Sequence, residues 1–207
     1  MKTWRATVSQ LAAITFLGTS ATGGCVRRVQ GSAEWNRRTA EDGVFVAVLD
    51  HLSAESHAER VLVRSRTSLG FVHAAAPDLF WKSFGESRVP NRAAVENFTR
   101  INQEPRSIER IGDTDSNVEV VADSVLSNLN GTDTRDLFGY WRRLRSRFGH
   151  GAIVVTLSRP GFDRERKEAV MVVSYACGSL CGAGYSVLLR RQAAGWSVAR
   201  MVEMWVS

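Results

Sequence analysis

Apolar positions recur along this chain at two different spacings, and the spacing changes near residue 150. Before that point they fall three and four apart, as along one side of a helix. After it, short runs of Val, Ile, Leu, Tyr and Trp alternate with turns, as in strands. Four strands are predicted there: Ala152–Ser158, Glu168–Tyr175, Tyr185–Arg191 and Trp196–Val206. They are joined by Arg159-Pro160-Gly161, by a Cys/Gly loop over 177–184 and by Gln192–Gly195. Such connections close antiparallel pairs and are too short for parallel crossovers. In the last strand Trp196, Val198, Val202 and Met204 share one alternation, with Arg200 the exception, so that face is expected to be buried against helices.

Upstream, Val44, Val48, Leu49 and Leu52 place a helix over Ala40–Ala54, with Glu41 and Asp42 near its start. Arg60–Thr67 alternates like a strand, and Pro77-Asp78 suits the first turn of a short helix, Ala74–Ser83. A further helix, Asn91–Gln103, buries Ala94, Val95, Phe98 and Ile101, with Pro105 just past its end. Asn117–Ala122 reads as a strand, and Asp123 as the cap of a helix over Ser124–Leu129. The next helix is capped by Thr134 or Asp136 and runs to Phe148 on a stripe of Leu137, Phe138, Trp141, Leu144 and Phe148. Arg142, Arg143, Arg145 and Arg147 cover its other sides. The expected fold class is therefore α+β, with N-terminal helices packed on a mostly antiparallel sheet built around a C-terminal four-strand meander. One domain, 40–207, is expected to hold it.

The first 39 residues stand apart. Lys2 and Arg5, an apolar stretch over Leu11–Gly18 and then small residues give 1–25 the layout of a signal peptide, too short to span a bilayer. Cys25 follows two glycines, which resembles the cleavage box of bacterial lipoproteins, although Thr22 stands where they carry leucine. Three readings stay open: a lipid on Cys25 and a cell-envelope anchor, simple cleavage and secretion, or an uncleaved anchor. Residues 26–39 are polar and arginine-rich and read as a flexible tether.

Composition narrows the function classes. A hydrophobic content of 44% with 23% charged residues is ordinary for a folded domain and excludes a polytopic membrane protein. The formal charge is +6. Removal of Lys2 and Arg5 with a signal peptide leaves 6 − 2 = +4, too little to indicate a nucleic-acid partner. Membrane association is expected only through a lipid on Cys25, and a protein partner is compatible with the chain. No nucleophile elbow, zinc-protease motif, phosphate loop or dinucleotide fingerprint is present, so no catalytic residue and no cofactor is assigned. Asp50, His51, Ser53, Ser56 and His57 superficially resemble a hydrolase set, but a triad assembles from distant segments. Cys177 and Cys181 lack the further ligands a metal site needs. In an exported chain they are expected to form a disulfide staple; a redox-active Cys-x-x-x-Cys is the alternative. Gly178, Gly182 and Gly184 are expected to supply the unusual backbone angles of their bend.

The C-terminal half resembles a family of uncharacterised exported bacterial proteins. The resemblance rests on Val95-Glu96-Asn97-Phe98, Asn102-Gln103, Phe138–Phe148 and Ser158-Arg159-Pro160-Gly161-Phe162, then on Cys177–Tyr185, Gly195-Trp196-Ser197-Val198 and Trp205-Val206-Ser207. It implies export and a structural role for the Cys/Gly segment, and brings no catalytic residue. The reading is a non-catalytic, envelope-associated binding or accessory protein; the alternative is a small hydrolase or thiol-redox enzyme.

Overall fold

A computed structural model describes residues 24–69, 84–85, 89–112, 117–131 and 135–207, with side chains of the first helix from Thr39 onward. The chain divides into two compact units, Met1–Asn36 and Arg37–Ser207. The predicted helix Ala74–Ser83 and His73 lie outside the described residues.

In chain order the elements are α1 (Gly24–Ser56), β1 (Arg60–Arg64), α2 (Arg92–Ile101), β2 (Val118–Val121), α3 (Asp123–Asn128) and α4 (Leu137–Phe148). The strands β3 (Ala152–Leu157), β4 (Gly161–Phe162), β5 (Glu168–Gly178), β6 (Cys181–Gln192) and β7 (Gly195–Val206) follow. The first helix starts at Gly24, well before Ala40, so the backbone over the expected tether is helical. The absence of an apolar period there misses this, because a period reports a buried face and not helicity itself. Asn91 caps α2 by accepting from the Ala93 amide, and Asp136 caps α4 by accepting from the Gly139 amide. Asp123 is the first residue of α3 and not its cap; Ala122 stands at the cap without a side-chain hydrogen bond.

Among the described residues one sheet of seven strands forms, in the order β2-β1-β3-β5-β6-β7, with β4 paired to β5. The expected α+β class is found, with β5, β6 and β7 as an antiparallel meander and β3 antiparallel to β5. The sheet is nonetheless mixed, because β1 is parallel to both β2 and β3. The chain passes through α2 between β1 and β2, and through α3 and α4 between β2 and β3, lengths that parallel pairing requires.

Alternation then sorts the core. Val61 and Val63, Val155 and Leu157, Met171 and Val173, and Val187 and Leu189 face Val44, Val48, Leu49 and Leu52 of α1. Their neighbours Val170, Val172 and Leu188 turn the other way, onto Ala94, Val95 and Phe98 of α2. At the far end of that second face Leu62 and Ala152 meet Leu126 of α3 and Trp141, Leu144 and Phe148 of α4. The sheet is thus covered on both faces, which accounts for the near-continuous apolar run of β5.

The expected register of β7 is corrected. Leu188 pairs with Arg200 and Leu189 with Val198, so Ala199 is an extra residue in β7. One inserted residue reverses the side chains that follow it, here as far as a second irregularity at Met204. Trp196 and Val198 therefore face the α1 cluster, whereas Val202 and Met204 face the α2 cluster.

Candidate binding groove

The Ser158–Phe162 segment is a latch between the sheet and α2. The Asn102 side chain donates to the Arg159 carbonyl at 3.0 Å and accepts from the Arg159 amide at 2.9 Å. One turn earlier Asn97 accepts from the Phe162 amide at 2.9 Å. Between these two clamps Gly161 lies against the helix, where an added Cβ would collide with the backbone of Phe98 and Ala94. The side chain of Ser158 is buried in the latch and accepts from the Val172 amide at 2.8 Å. These asparagines, the serine and the glycine are accounted for by packing and backbone satisfaction.

The latch also touches the most buried charge among the described residues. Glu41 of α1, its carboxylate 3% exposed, is bracketed by Arg106 and by Arg159, whose Nη2 lies 3.3 Å away. Arg159 donates in addition to the Ile101 carbonyl, and burial lowers its pKa from the usual guanidinium value. A cavity of about 380 Å³ opens beside Glu41 and Arg106, lined also by Thr67, Glu109 and Arg110. The carboxylate and both guanidinium groups are already engaged with one another, so this cluster is an internal brace, with a large penalty for removing one partner.

The histidines do not assemble with acids in a cavity among the described residues. His51 meets Glu55 at 3.3 Å one turn along α1, both side chains being well exposed. His57 is exposed in the left-handed region at φ 50°. Ser53 Oγ accepts from Asn117 Nδ2 at 3.2 Å, and the Ser56 hydroxyl is buried without a partner among the described residues. The hydrolase-like set of Asp50, His51, Ser53, Ser56 and His57 thus runs along the end of one helix. Among the described residues no group of three or more His, Cys, Asp or Glu side chains has metal-binding geometry, and no helix is long and apolar enough to cross a membrane.

Cys177 and Cys181 come together at disulfide distance, with Cα atoms 5.1 Å apart. The segment around them is not a long loop. The strand β5 continues to Gly178 and β6 begins at Cys181, so only Ser179 and Leu180 turn the hairpin, after an irregularity at Cys177. None of Gly178, Gly182 and Gly184 has a positive φ, which corrects their expected role. Gly182 and Gly184 serve close approach instead. A Cβ at Gly182 would press on the Tyr175 carbonyl oxygen, and one at Gly184 would occupy the position of the Trp205 indole.

The hairpin tip stands beside α4, and here the helix departs from its predicted stripe. Trp141, Leu144 and Phe148 are buried as expected, but Leu137 is 52% and Phe138 77% exposed. Leu180, at the turn, is 84% exposed. Phe138 and Leu180 border a groove of about 450 Å³ whose walls include Trp141, Gly178, Ser179 and Cys181. Arg142, Arg145, Ser146 and His150 line the remainder, and among the described residues no carboxylate does. Arg145 joins the two sides by donating from Nη2 to the Cys177 carbonyl at 3.1 Å. The sequence pattern misses the groove because the i, i+3/i+4 rule counts Leu137 and Phe138 as core. Both fall in the first turn of α4, before the helix meets β3.

No protein-family model, curated protein or solved structure matches the chain at a significant level.

Proposed function

We propose that this is a non-catalytic binding or accessory protein of the cell envelope, which docks a partner in the groove between α4 and the β5–β6 tip. The observation that carries this is the pair Phe138 and Leu180, 77% and 84% exposed, on two elements bordering one cavity. Isolated exposed apolar residues are ordinary, but two flanking a shaped hollow are a feature of interaction sites. The export layout of 1–25 and the resemblance of the C-terminal half to exported proteins support the envelope location. Cys25 is proposed as the lipid attachment point. The Cys177–Cys181 pair, proposed as a structural staple, fixes the wall that carries Leu180.

One observation favours a thiol-redox reading instead. Cys181 is exposed and lines the groove together with Arg142, Arg145 and His150, a cationic setting of the kind that activates thiols. The two readings separate cleanly. A photo-reactive residue in place of Leu180 should give one discrete adduct in intact envelopes. That adduct should vanish in Phe138→Ser, and a photo-reactive residue at the distant, exposed Gln192 should not form it. If no adduct forms, the docking proposal falls. If the adduct instead forms without light, dissolves in small thiols and persists when Cys177 alone is replaced, it is a mixed disulfide on Cys181, and thiol exchange takes its place.

A further inference from the structure

The groove has a chemical preference as well as a shape, and this inference rests on the docking role proposed for it. We infer that its occupant is a linear acidic peptide segment with an aromatic or aliphatic side chain between carboxylates, supplied by a protein partner.

Charge complementarity carries the argument. The arginines of α4 are not equivalent. Arg143 is committed to the carbonyls of Leu129 and Asn130, with Asp136 at 3.7 Å. Arg147 lies over the Phe148 ring, 5.3 Å from its centroid. The two that line the groove are left with capacity. Among the described residues Arg142 makes no side-chain hydrogen bond or ion pair, and Arg145 makes only the bond to the Cys177 carbonyl, with its buried Nε unmatched. Ion pairs engage arginines elsewhere on the molecule, at Arg60, Arg64 and Arg92 for example. A lining with the unengaged Arg142, a partly engaged Arg145 and a histidine, and with no carboxylate among the described residues, attracts anions.

Shape selects the kind of anion. The exposed Phe138 and Leu180 flank a cavity with buried Trp141 in its wall, a receptacle for an apolar side chain and not for phosphate alone. About 450 Å³ is the size of a site for one or two side chains. A bilayer would require these residues to project from a convex surface, whereas here they edge a hollow. The peptide therefore places its apolar side chain against Trp141, Phe138 and Leu180, and its flanking carboxylates reach Arg142 and Arg145.

The test uses the full chain and a fluorescein-labelled peptide in which one Phe and one Leu lie among Asp and Glu residues. Its companions are a version with Lys for every acid, a version with Ala for Phe and Leu, and phosphatidylglycerol vesicles. Fluorescence anisotropy should rise with the acidic apolar peptide and fall back as salt is raised. Binding should weaken at least tenfold with Arg142→Glu and with Phe138→Ser, two exposed sites whose replacement should leave the circular dichroism and melting curve unchanged. Equal binding of the lysine version, or no loss in either variant, would overturn the inference. Sedimentation with the vesicles that is lost in Phe138→Ser, without peptide binding, would overturn it too but leave docking at this groove in place. If no probe binds and the residue-180 adduct is also absent, the docking reading falls with it.

Discussion

At the scale of single residues, the side chains that look most chemical turn out to be occupied in holding the fold. Arg106 and Arg159 share the buried Glu41 carboxylate, and Asn97 and Asn102 are consumed by the backbone of the latch. Tyr185 gives a titration that can be followed. Its ring stacks on Tyr175 with centroids 6.3 Å apart, on the α1 side of the sheet. Burial first, then Tyr175, Glu203 and Glu55, push its pKa from 10.0 up to about 12. The folded state therefore keeps a proton that the unfolded chain releases near pH 10. The stabilisation is fully present below pH 10 and is lost as pH rises towards 12, since the folded state binds more protons across that window. Urea titrations between pH 9 and 12 should show stability falling more steeply in the natural protein than in Tyr185→Phe. Parallel curves would mean that Tyr185 ionises like a tyrosine in water.

At the scale of elements, what the sequence made legible is what periodicity reports. Ala94, Val95 and Phe98 of α2, Trp141, Leu144 and Phe148 of α4, the strands β3, β5, β6 and β7, and the caps Asn91 and Asp136 follow from spacing and local hydrogen-bonding chemistry, whereas Ile101, in phase with the α2 stripe, is only half-buried. Three features do not. The upstream extension of α1 has no apolar rhythm, the turn at 179–180 is shorter than its glycines suggest, and the β7 bulge leaves no mark in composition. A bulge is set by the pairing partner, so one strand read alone cannot reveal it. The groove is hidden for a related reason. Spacing marks Phe138 as apolar and in phase, but whether a neighbour covers it is a tertiary fact. The corrected register has a measurable consequence. Trp196 is half-buried, over Gly43 of α1 and with its ring centroid 5.5 Å from that of Phe162, while Val202 packs on the opposite face. Trp196→Ala should therefore cost about 2 kcal/mol in denaturant unfolding, below the roughly 3–5 kcal/mol of a fully buried aromatic. Trp196→Ala and Val202→Ala lie on opposite faces, so their costs should add in the double variant. A strong coupling between them would restore the single shared face.

At the scale of the whole molecule, address and disulfide are linked, and one experiment reads both. Disulfides persist in oxidising compartments and not in the cytosol. If 1–25 directs export, the Cys177–Cys181 pair should be oxidised in the envelope fraction, and mass spectrometry there should find an N-terminus at or near Cys25. An acyl mass on Cys25 selects the anchored form, and an unmodified terminus the secreted one. A chain lacking residues 2–24 should stay in the cytosol with both thiols free. That chain should still fold, because the bond closes a very short loop between neighbouring strands whose ladder is already formed. By the chain-entropy relation such a loop contributes about 2 kcal/mol or less. What the reduced chain should lose is the fixed position of Leu180 relative to Phe138, because Ser179 and Leu180 are the residues enclosed by the bond and the turn. It should therefore melt within a few degrees of the exported form, the shift expected for ~1–2 kcal/mol in a domain of this size, yet bind the acidic apolar peptide more weakly. An intact Met1 in soluble cytosolic protein would remove the address. A collapse of the fold on reduction would show that the hairpin tip braces the sheet itself, and not only the wall of the groove.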